Sequence, residues 1–257
     1  MRVATILWML VLAGVSPLYA AVTMEPVEYK VGDTVLKGVV AYDDAVEGKR
    51  PGVLVVHEWW GLNDYAKMRA DMLAKAGYVA LALDMYGEGK TTEHPQEAGE
   101  WASAIGQNQD IARTRFMGAF ELLREHPRTD PERIAAIGYC FGGSVVLNMA
   151  LAGIDLDAVV SFHGGLPQDA AGGDVKASIL VCHGGADQLS TQEQLETFTS
   201  NLVAANADWE INVYGGAKHS FTNPGADARG MPQLGYDERA DKRSWRAMLG
   251  FLQEAFE

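Results

Sequence analysis

Short apolar runs alternate with amphipathic segments along most of this chain, and polar turns that contain glycine or proline separate them. A continuous apolar run of about four to eight residues is typical of a strand that is buried on both faces of a sheet. Such runs predict strands at residues 53–56, 78–83, 133–137, 158–162, 178–182 and 209–214.

Between these runs, apolar residues recur every three to four positions, as one buried face of a helix requires. This spacing predicts helices at residues 64–76, 96–105, 111–125, 144–152, 191–206 and 236–256. Ahead of them, apolar and polar residues alternate over 27–31 and 34–42 around a Gly-Asp turn, which predicts a β-hairpin. A hairpin followed by repeated strand–loop–helix units predicts an α/β fold with a mostly parallel, doubly wound sheet and helices on both faces.

The first residues differ in composition from the rest of the chain. Arg2 precedes an almost wholly apolar stretch at residues 3–15, and small residues follow at Ala20 and Ala21. This pattern is typical of a secretory signal peptide, so we expect a signal over residues 1–20 and one domain over residues 21–257. An uncleaved N-terminal anchor is the alternative. Export predicts a periplasmic or secreted protein with no further membrane span after cleavage.

The overall composition and net charge indicate which classes of molecule the protein binds. Hydrophobic residues make up 48% of the 257 residues, enough for a globular core, and the formal net charge is -13. An acidic surface argues against nucleic acid or an anionic membrane as a partner. The two cysteines, Cys140 and Cys182, could form a disulfide in an exported protein, although Cys182 lies inside a predicted strand, where a cysteine is usually a small core residue.

The strongest local signal is the sequence Gly-x-Cys-x-Gly at residues 138–142, between a predicted strand and a predicted helix. This spacing is that of a nucleophile elbow, a sharp strand-to-helix turn that exposes one reactive side chain. Glycines are needed beside the turn because neighbouring backbone passes too close for a Cβ atom. The N-terminus of the following helix favours a thiolate at Cys140.

Polar residues also stand at the carboxyl ends of the other predicted strands. With Cys140 they make the set Glu58, Asp84, Cys140, His163, Asp187 and His219. Because the carboxyl ends of parallel strands meet at one edge of the sheet, we expect these side chains to converge there. The chain order of Cys140, Asp187 and His219 is that of nucleophile, acid and histidine in α/β-hydrolases.

Five motifs in this order make the chain resemble the dienelactone hydrolase family of the α/β-hydrolase superfamily. The motifs cover residues 57–63, 84–87, 138–143, 183–187 and 218–221. The resemblance implies an α/β-hydrolase fold and hydrolysis of a small-molecule ester or lactone through an acyl-enzyme, without a cofactor. It also implies the site residues.

In this reading, Cys140 attacks the carbonyl, His219 moves the proton, and Asp187 orients His219. The backbone N–H groups of Phe141 and Trp59 form the oxyanion hole. Asp187 could instead belong to the first turn of a helix, and His219 could be an ordinary loop histidine.

The resemblance gives Glu58 a role in controlling when the thiol ionises, although a solvated glutamate at the mouth of a strand is the plainer reading. Pocket positions are Tyr86, His163, Trp60 and Asn223, with packing as the alternative. Family members bind a substrate carboxylate with two arginines. Here Thr222 and Asn223 follow the histidine motif, and residues 87–112 contain Lys90 but no arginine. We therefore expect a neutral substrate, because an anion would lack its clamp.

Two other classes stay open on sequence alone. Histidines and carboxylates at strand ends can bind zinc, although their spacing here fits no compact metal motif. An exported redox-sensing or binding protein could also carry a thiol at a helix N-terminus, although the chain has no Cys-x-x-Cys pair. The oligomeric state is expected to be a monomer or a small homo-oligomer.

Overall fold

An eight-stranded sheet runs through the computed structural model, which describes residues 22–257. The strands are β1 (Val22–Val31), β2 (Thr34–Asp43), β3 (Arg50–Val56), β4 (Val79–Leu83), β5 (Thr129–Tyr139), β6 (Ala158–Phe162), β7 (Ser178–Gly184) and β8 (Trp209–Tyr214). Their spatial order is β1-β2-β4-β3-β5-β6-β7-β8. The first hairpin is antiparallel, β2 pairs antiparallel with β4, and every later pairing is parallel.

Helices cover both faces of this sheet. They are α1 (Asp64–Lys75), α2 (Pro95–Gly106), α3 (Gln109–Glu125), α4 (Phe141–Leu151), α5 (Gln192–Ala204) and α6 (Glu238–Ala255), with a short 3-10 helix over Asp227–Arg229. The predicted fold class, a mostly parallel α/β sheet of the α/β-hydrolase type with an N-terminal hairpin, is confirmed. No helix within residues 22–257 is long and apolar enough to cross a membrane.

The core forms one layer on each face of the sheet, and β3 shows how the sequence builds both. Val53 and Val55 pack with α1 and α6, whereas Leu54 and Val56 pack with α3 and α4. Side chains alternate across a strand, so a continuous apolar run supplies both layers at once. Each fully buried side chain of this size contributes about 1.5–3 kcal/mol of hydrophobic stabilisation.

Several element boundaries differ from the sequence prediction, among them the starts of β1, β5 and α4. Strand β1 begins at Val22, five residues earlier than the alternation indicates, because it lies at an edge and much of it stays exposed. Strand β5 begins at Thr129, ahead of Pro131, and its pairing with β3 shifts register there. Helix α4 begins at Phe141, although the two glycines that follow weaken the helical signal.

The parallel strands all point their carboxyl ends to one edge of the sheet. Loops that follow β3, β4, β5, β6, β7 and β8 therefore meet there. The predicted signal peptide at residues 1–20 lies outside the described residues, and the assignment of residues 21–257 to one domain stays a prediction.

Candidate active site

Cys140 stands at the apex of the turn between β5 and α4. Its backbone is left-handed, with φ 54° and ψ -115°, a conformation that costs a non-glycine residue about 1–3 kcal/mol. A Cβ at Gly138 would lie 2.1 Å from the carbonyl oxygen of Gly142, and one at Gly142 would lie 2.3 Å from that of Val56. Both flanking glycines are therefore obligatory, and the structure has the elbow that the spacing predicts.

The loop after β8 brings His219 to Asp187, which follows β7. The two are buried, and His219 Nδ1 lies 2.8 Å from Asp187 Oδ2. The other carboxylate oxygen, Oδ1, accepts a hydrogen bond from the Leu189 N–H at 2.8 Å. His219 Nε2 is buried and has no hydrogen-bond partner among the described residues. An oriented imidazole with one unpaired nitrogen is the arrangement that general-base catalysis requires.

The electrostatics of His219 connect it to Cys140. Burial alone would lower the pKa of His219, but the negative charge available to Cys140 and the hydrogen bond with Asp187 raise it to about 10. Charges influence one another this strongly only at close range. The structure thus pairs Asp187 with His219 and brings His219 close to Cys140 at the edge of the sheet where the sequence places all three.

Two backbone N–H groups, in the loop after β3 and at the start of α4, have no acceptor among the described residues. Phe141 is the first residue of α4, where helix geometry leaves the N–H without a partner. The Trp59 N–H, in the loop after β3, also has no acceptor among the hydrogen bonds of residues 22–257. These are the two donors that the sequence assigns to an oxyanion hole.

Glu58 is 1% exposed, and its carboxylate contacts the His219 loop, which we define as residues 219–223. Ser220 Oγ donates to Oε1 at 2.9 Å, and Asn223 Nδ2 donates to Oε2 at 2.5 Å. Burial raises the pKa of Glu58, and these two hydrogen bonds oppose the rise. Within the described residues, no hydrogen bond joins Glu58 to Cys140, so the side chain holds the loop rather than the thiol.

His163 is one of three predicted pocket residues that the structure buries, so that they do not line an open site. It is 0% exposed, and both ring nitrogens are paired: Nδ1 accepts from the Cys140 N–H at 3.2 Å, and Nε2 lies 2.7 Å from Thr222 Oγ1. A side chain with no exposed surface and no unpaired nitrogen does not line a substrate pocket. The pocket prediction for His163 is wrong, and the alternative of packing holds.

Trp60 is also predicted to line the pocket, and the structure buries it instead. Its ring is 1% exposed and packs beside Ala98 and Leu234, with the Arg229 guanidinium 4.3 Å from the ring centroid. Asn223 is buried, and its side chain donates a hydrogen bond to Glu58 and accepts one from the Gly225 N–H. Neither residue therefore lines an open pocket.

Tyr86 lies closer to the chemistry. Its hydroxyl donates to the Trp59 carbonyl at 3.1 Å, and its ring centroid is 5.5 Å from that of Phe141. A negative charge at Cys140 contributes to raising the pKa of Tyr86, after burial itself. Tyr86 is thus placed between the two loops that carry the unpaired N–H groups, where its pocket role stays a prediction.

Asp84 and His57, which follow two strand ends, hold loops in place through hydrogen bonds to the backbone. Asp84 accepts N–H groups from Lys37 and from three residues of the following turn: Tyr86, Gly87 and Gly89. His57 lies 2.6 Å from the Glu58 carbonyl through Nδ1 and accepts the Met85 N–H through Nε2. Burial lowers the pKa of His57, which suits this neutral bridge between two loops.

Sequence reasoning missed three residues whose side chains hold the His219 loop in place, one of them within the loop. Ser220 bonds to Glu58, while Tyr65 and Arg69 of α1 bond to Thr222 through its hydroxyl and its carbonyl. The polar residues that follow His219 were the one available signal, since nothing in the α1 sequence indicates the contact.

Metal binding finds no support in the described part of the chain. No group of three or more His, Cys, Asp or Glu side chains within residues 22–257 is arranged to hold an ion. Both cysteines are free thiols.

Comparison with known proteins agrees with the geometry. The profile of the Dienelactone hydrolase family matches residues 36–256. Protein usf of Aquifex pyrophilus is 30% identical over 213 residues, covering 79% of this chain and 88% of that protein. A protein of Aquifex aeolicus, named as a candidate carboxymethylenebutenolidase, is 25% identical and covers 88% of this chain and 96% of its own length.

Solved structures give the same result. A dienelactone hydrolase-like promiscuous phosphotriesterase from metagenomic libraries is 38% identical, with a TM-score of 0.89 over 92% of this chain and 100% of that one. A dienelactone hydrolase from Anabaena variabilis superposes with a TM-score of 0.64 at 20% identity, over 92% of this chain and 99% of that one. The second likeness shows the fold alone.

Proposed function

This chain belongs to the dienelactone hydrolase family of ester-bond hydrolases, and we propose that it cleaves a neutral ester or lactone with Cys140 as nucleophile. One observation carries the proposal. The Asp187–His219 pair leaves His219 Nε2 buried and unpaired, and the pKa of His219 responds to charge on Cys140. A small-molecule ester or lactone fits the family, several of whose members are named as candidate carboxymethylenebutenolidases.

The proposed reaction begins with attack of Cys140 Sγ on the carbonyl carbon. A C–S bond forms, the carbonyl π electrons move onto oxygen, and His219 holds the thiol proton. When the tetrahedral intermediate collapses, the C–O bond breaks and His219 gives its proton to the leaving alkoxide. Water, deprotonated by His219, then attacks the thioester, which releases the acid and restores the thiol. Asp187 keeps His219 in the tautomer that both steps need.

The unpaired N–H groups of Trp59 and Phe141 would stabilise the oxyanion in each tetrahedral intermediate. Backbone donors of this kind cost no reorganisation during the reaction, and each is worth about 3 kcal/mol of transition-state stabilisation. The glycines of the elbow fix the turn that precedes Phe141, and the Tyr86 hydroxyl bonds to the carbonyl of Trp59.

A neutral substrate is proposed because the chain has Thr222 and Asn223 where family members carry an arginine. Both side chains are instead committed to His163 and Glu58. A neutral phosphotriester is a second candidate, favoured by the 38% identity with the phosphotriesterase structure. There Cys140 would bond to phosphorus and His219 would protonate the leaving alkoxide.

Export is a further part of the proposal. Residues 1–20 have the signal-peptide pattern, and we place the mature protein in the periplasm or outside the cell. The alternative of an exported redox-sensing or binding protein leaves the oriented His219 and the two unpaired N–H groups without a role.

The test is a substrate panel run on the protein that lacks residues 1–20. The same panel is run on its Cys140→Ala variant and on the matched Cys182→Ala variant. The panel holds neutral nitrophenyl esters, a neutral lactone, a carboxylated lactone and a phosphotriester. We expect hydrolysis of a neutral substrate by the parent and by Cys182→Ala, and none by Cys140→Ala. Equal turnover by Cys140→Ala, with its fold retained by circular dichroism, would refute the proposal.

A further inference from the structure

His163 has a conformation and a set of contacts that the proposed chemistry does not use. It lies at the carboxyl end of β6 with a left-handed φ of 41° and no exposed surface. Left-handed backbone in a buried non-glycine residue is strained, and such strain persists only where the surroundings over-determine it. Cys140 and Ser220, in the two neighbouring loops, are left-handed as well.

The hydrogen bonds of His163 define one tautomer. The Cys140 N–H, which also lies 3.0 Å from the Phe162 carbonyl, donates to His163 Nδ1, so that nitrogen carries no proton. His163 Nε2 therefore carries the proton and donates to Thr222 Oγ1 at 2.7 Å. One neutral ring thus connects the backbone of the nucleophile to the side chain of a residue in the His219 loop.

Thr222 is itself held by α1. Its hydroxyl lies 2.6 Å from the Tyr65 hydroxyl, and its carbonyl accepts from Arg69 Nη2 at 2.6 Å. Arg69 is buried and paired with Asp241 of α6 at 2.6 Å. Its guanidinium also lies over aromatic rings, among them Tyr65. Thr222, the residue to which His163 Nε2 donates, is therefore held in place by Tyr65 and by the ion-paired Arg69.

We propose that His163 is a positioning residue that sets the distance between Cys140 and His219 by tying the elbow to the His219 loop through Thr222. The proposal rests on the proposed function. It also explains why the ring is buried: substrate never reaches it, and its contacts act on Cys140 and His219. Removing either contact lets the thiol and the imidazole move apart, and a misplacement of about 1 Å lowers a rate by up to about 100-fold.

The kinetic test uses Thr222, because its variants change few atoms. Thr222→Val keeps the shape and removes the hydroxyl, and Thr222→Ser restores it. Thr129→Val is the matched control, since Thr129 is equally buried, lies at the start of β5, and its hydroxyl has no partner among the described residues. The rate of acylation per titrated active site is measured with a neutral nitrophenyl ester, together with KM and the melting temperature.

We expect Thr222→Val to lower the acylation rate about tenfold, with KM unchanged, because the hydroxyl that bonds to His163 Nε2 and to Tyr65 is lost. Thr222→Ser should recover most of that rate, and Thr129→Val should match the parent. A purely structural role would lower the melting temperature or the titrated fraction but leave the rate per site unchanged. That result, a parental acylation rate in Thr222→Val, overturns the proposal.

A spectroscopic test is independent of hydrolysis. In protein labelled with 15N-histidine, the His163 ring, identified as the signal missing from His163→Asn, should be the neutral Nε2–H tautomer from pH 5.5 to 8.5. Burial, followed by the charges of His219 and Arg69, holds the pKa of His163 well below its usual value. An Nδ1–H tautomer or a charged His163 ring in that pH range overturns the proposal that His163 links the elbow to the His219 loop. If the parent hydrolyses no substrate, the proposed function is refuted. The tautomer measurement still decides whether His163 links the elbow to the His219 loop.

Discussion

The two cysteines lie on either side of one strand and have opposite surroundings. Cys140 follows β5 at a left-handed apex, half-buried, at the N-terminus of α4 and beside His219. Cys182 lies inside β7, fully buried, with the Tyr214 hydroxyl 3.7 Å from its sulfur. Burial raises the pKa of Cys182 to about 12, and the contact with Tyr214 opposes this rise only in part.

The difference shows that location in the fold, and not residue type, decides which thiol can do chemistry. A thiol inside a strand packs like a small apolar side chain, whereas in the proposed mechanism the elbow presents the other thiol to a base and to two backbone donors. Strand β6 connects the two environments, because the N–H of His163 at its end donates to the Cys182 carbonyl at 2.9 Å. The predictions below test how completely this contrast holds.

The largest effect is expected at His219. His219→Asn removes the base that holds the thiol proton, and turnover of a neutral ester should fall by about a thousandfold or more. The exposed His94, changed to Asn in the same way, should leave turnover unchanged. Steady-state kinetics of the two variants checks this. Comparable losses in both would place the base elsewhere.

Alkylation should separate the two thiols by roughly 100-fold or more in rate, because only the thiolate reacts and access favours Cys140. With iodoacetamide at pH 8, native protein should lose one thiol quickly and retain the second. Cys182 stays protonated because its pKa is about 12, so its reaction should wait for unfolding in guanidinium. Peptide mapping identifies the modified residue, and rapid labelling of Cys182 in the native state would contradict the contrast.

Glu58→Gln should lower kcat by roughly tenfold, because a neutral amide keeps only one of the two acceptor oxygens that Ser220 and Asn223 use, which loosens the His219 loop. The exposed Glu132, changed to Gln, serves as the matched control. Kinetics with a neutral ester measures the effect. A kcat equal to that of the parent would show that the His219 loop needs no support from Glu58.

Glu58 also gives a pH-dependent stability effect with a definite sign. Its pKa is raised by burial, so the folded protein holds this proton more tightly than the unfolded chain, whose carboxyl titrates near 4.5. The group therefore favours folding at low pH and loses that contribution as pH rises above 4.5. Urea unfolding should show Glu58→Gln gaining stability relative to the parent between pH 4 and pH 7. A relative loss over that range would reverse the sign.

The smallest effect is expected at Cys182. Cys182→Ala should leave ester turnover within about twofold of the parent and lower the free energy of unfolding by about 1 kcal/mol, since one buried sulfur atom is lost. Urea unfolding and ester kinetics check both values. A loss of turnover as large as that of Cys140→Ala would remove the contrast between the two thiols.

Much of this architecture could be predicted because it depends on local rules. Continuous apolar runs such as the one in β3 supply both core layers, and the glycines around Cys140 are required by close backbone contacts. The order of Cys140, Asp187 and His219 along the chain, combined with parallel strands, is enough to bring them to one edge.

The positions of His163, Trp60 and Asn223 could not be predicted, because burial at a strand end depends on what packs over it. The predicted pocket at His163 is filled by Thr222 and Phe221, which come from a loop more than fifty residues further along the chain. Likewise, the carboxylate of Glu58 finds its partners in that same loop. A strand-end position indicates where a side chain begins but not which loop covers it.

The central claim is that Cys140 carries the acyl group during turnover. Mixing the protein with an activated neutral ester, quenching in acid within the first turnover and mapping the peptides by mass spectrometry tests it directly. We predict an acyl adduct on Cys140 in the parent and no adduct on Cys182. Turnover of the ester with the acyl group found on another residue, or on none, would contradict the account.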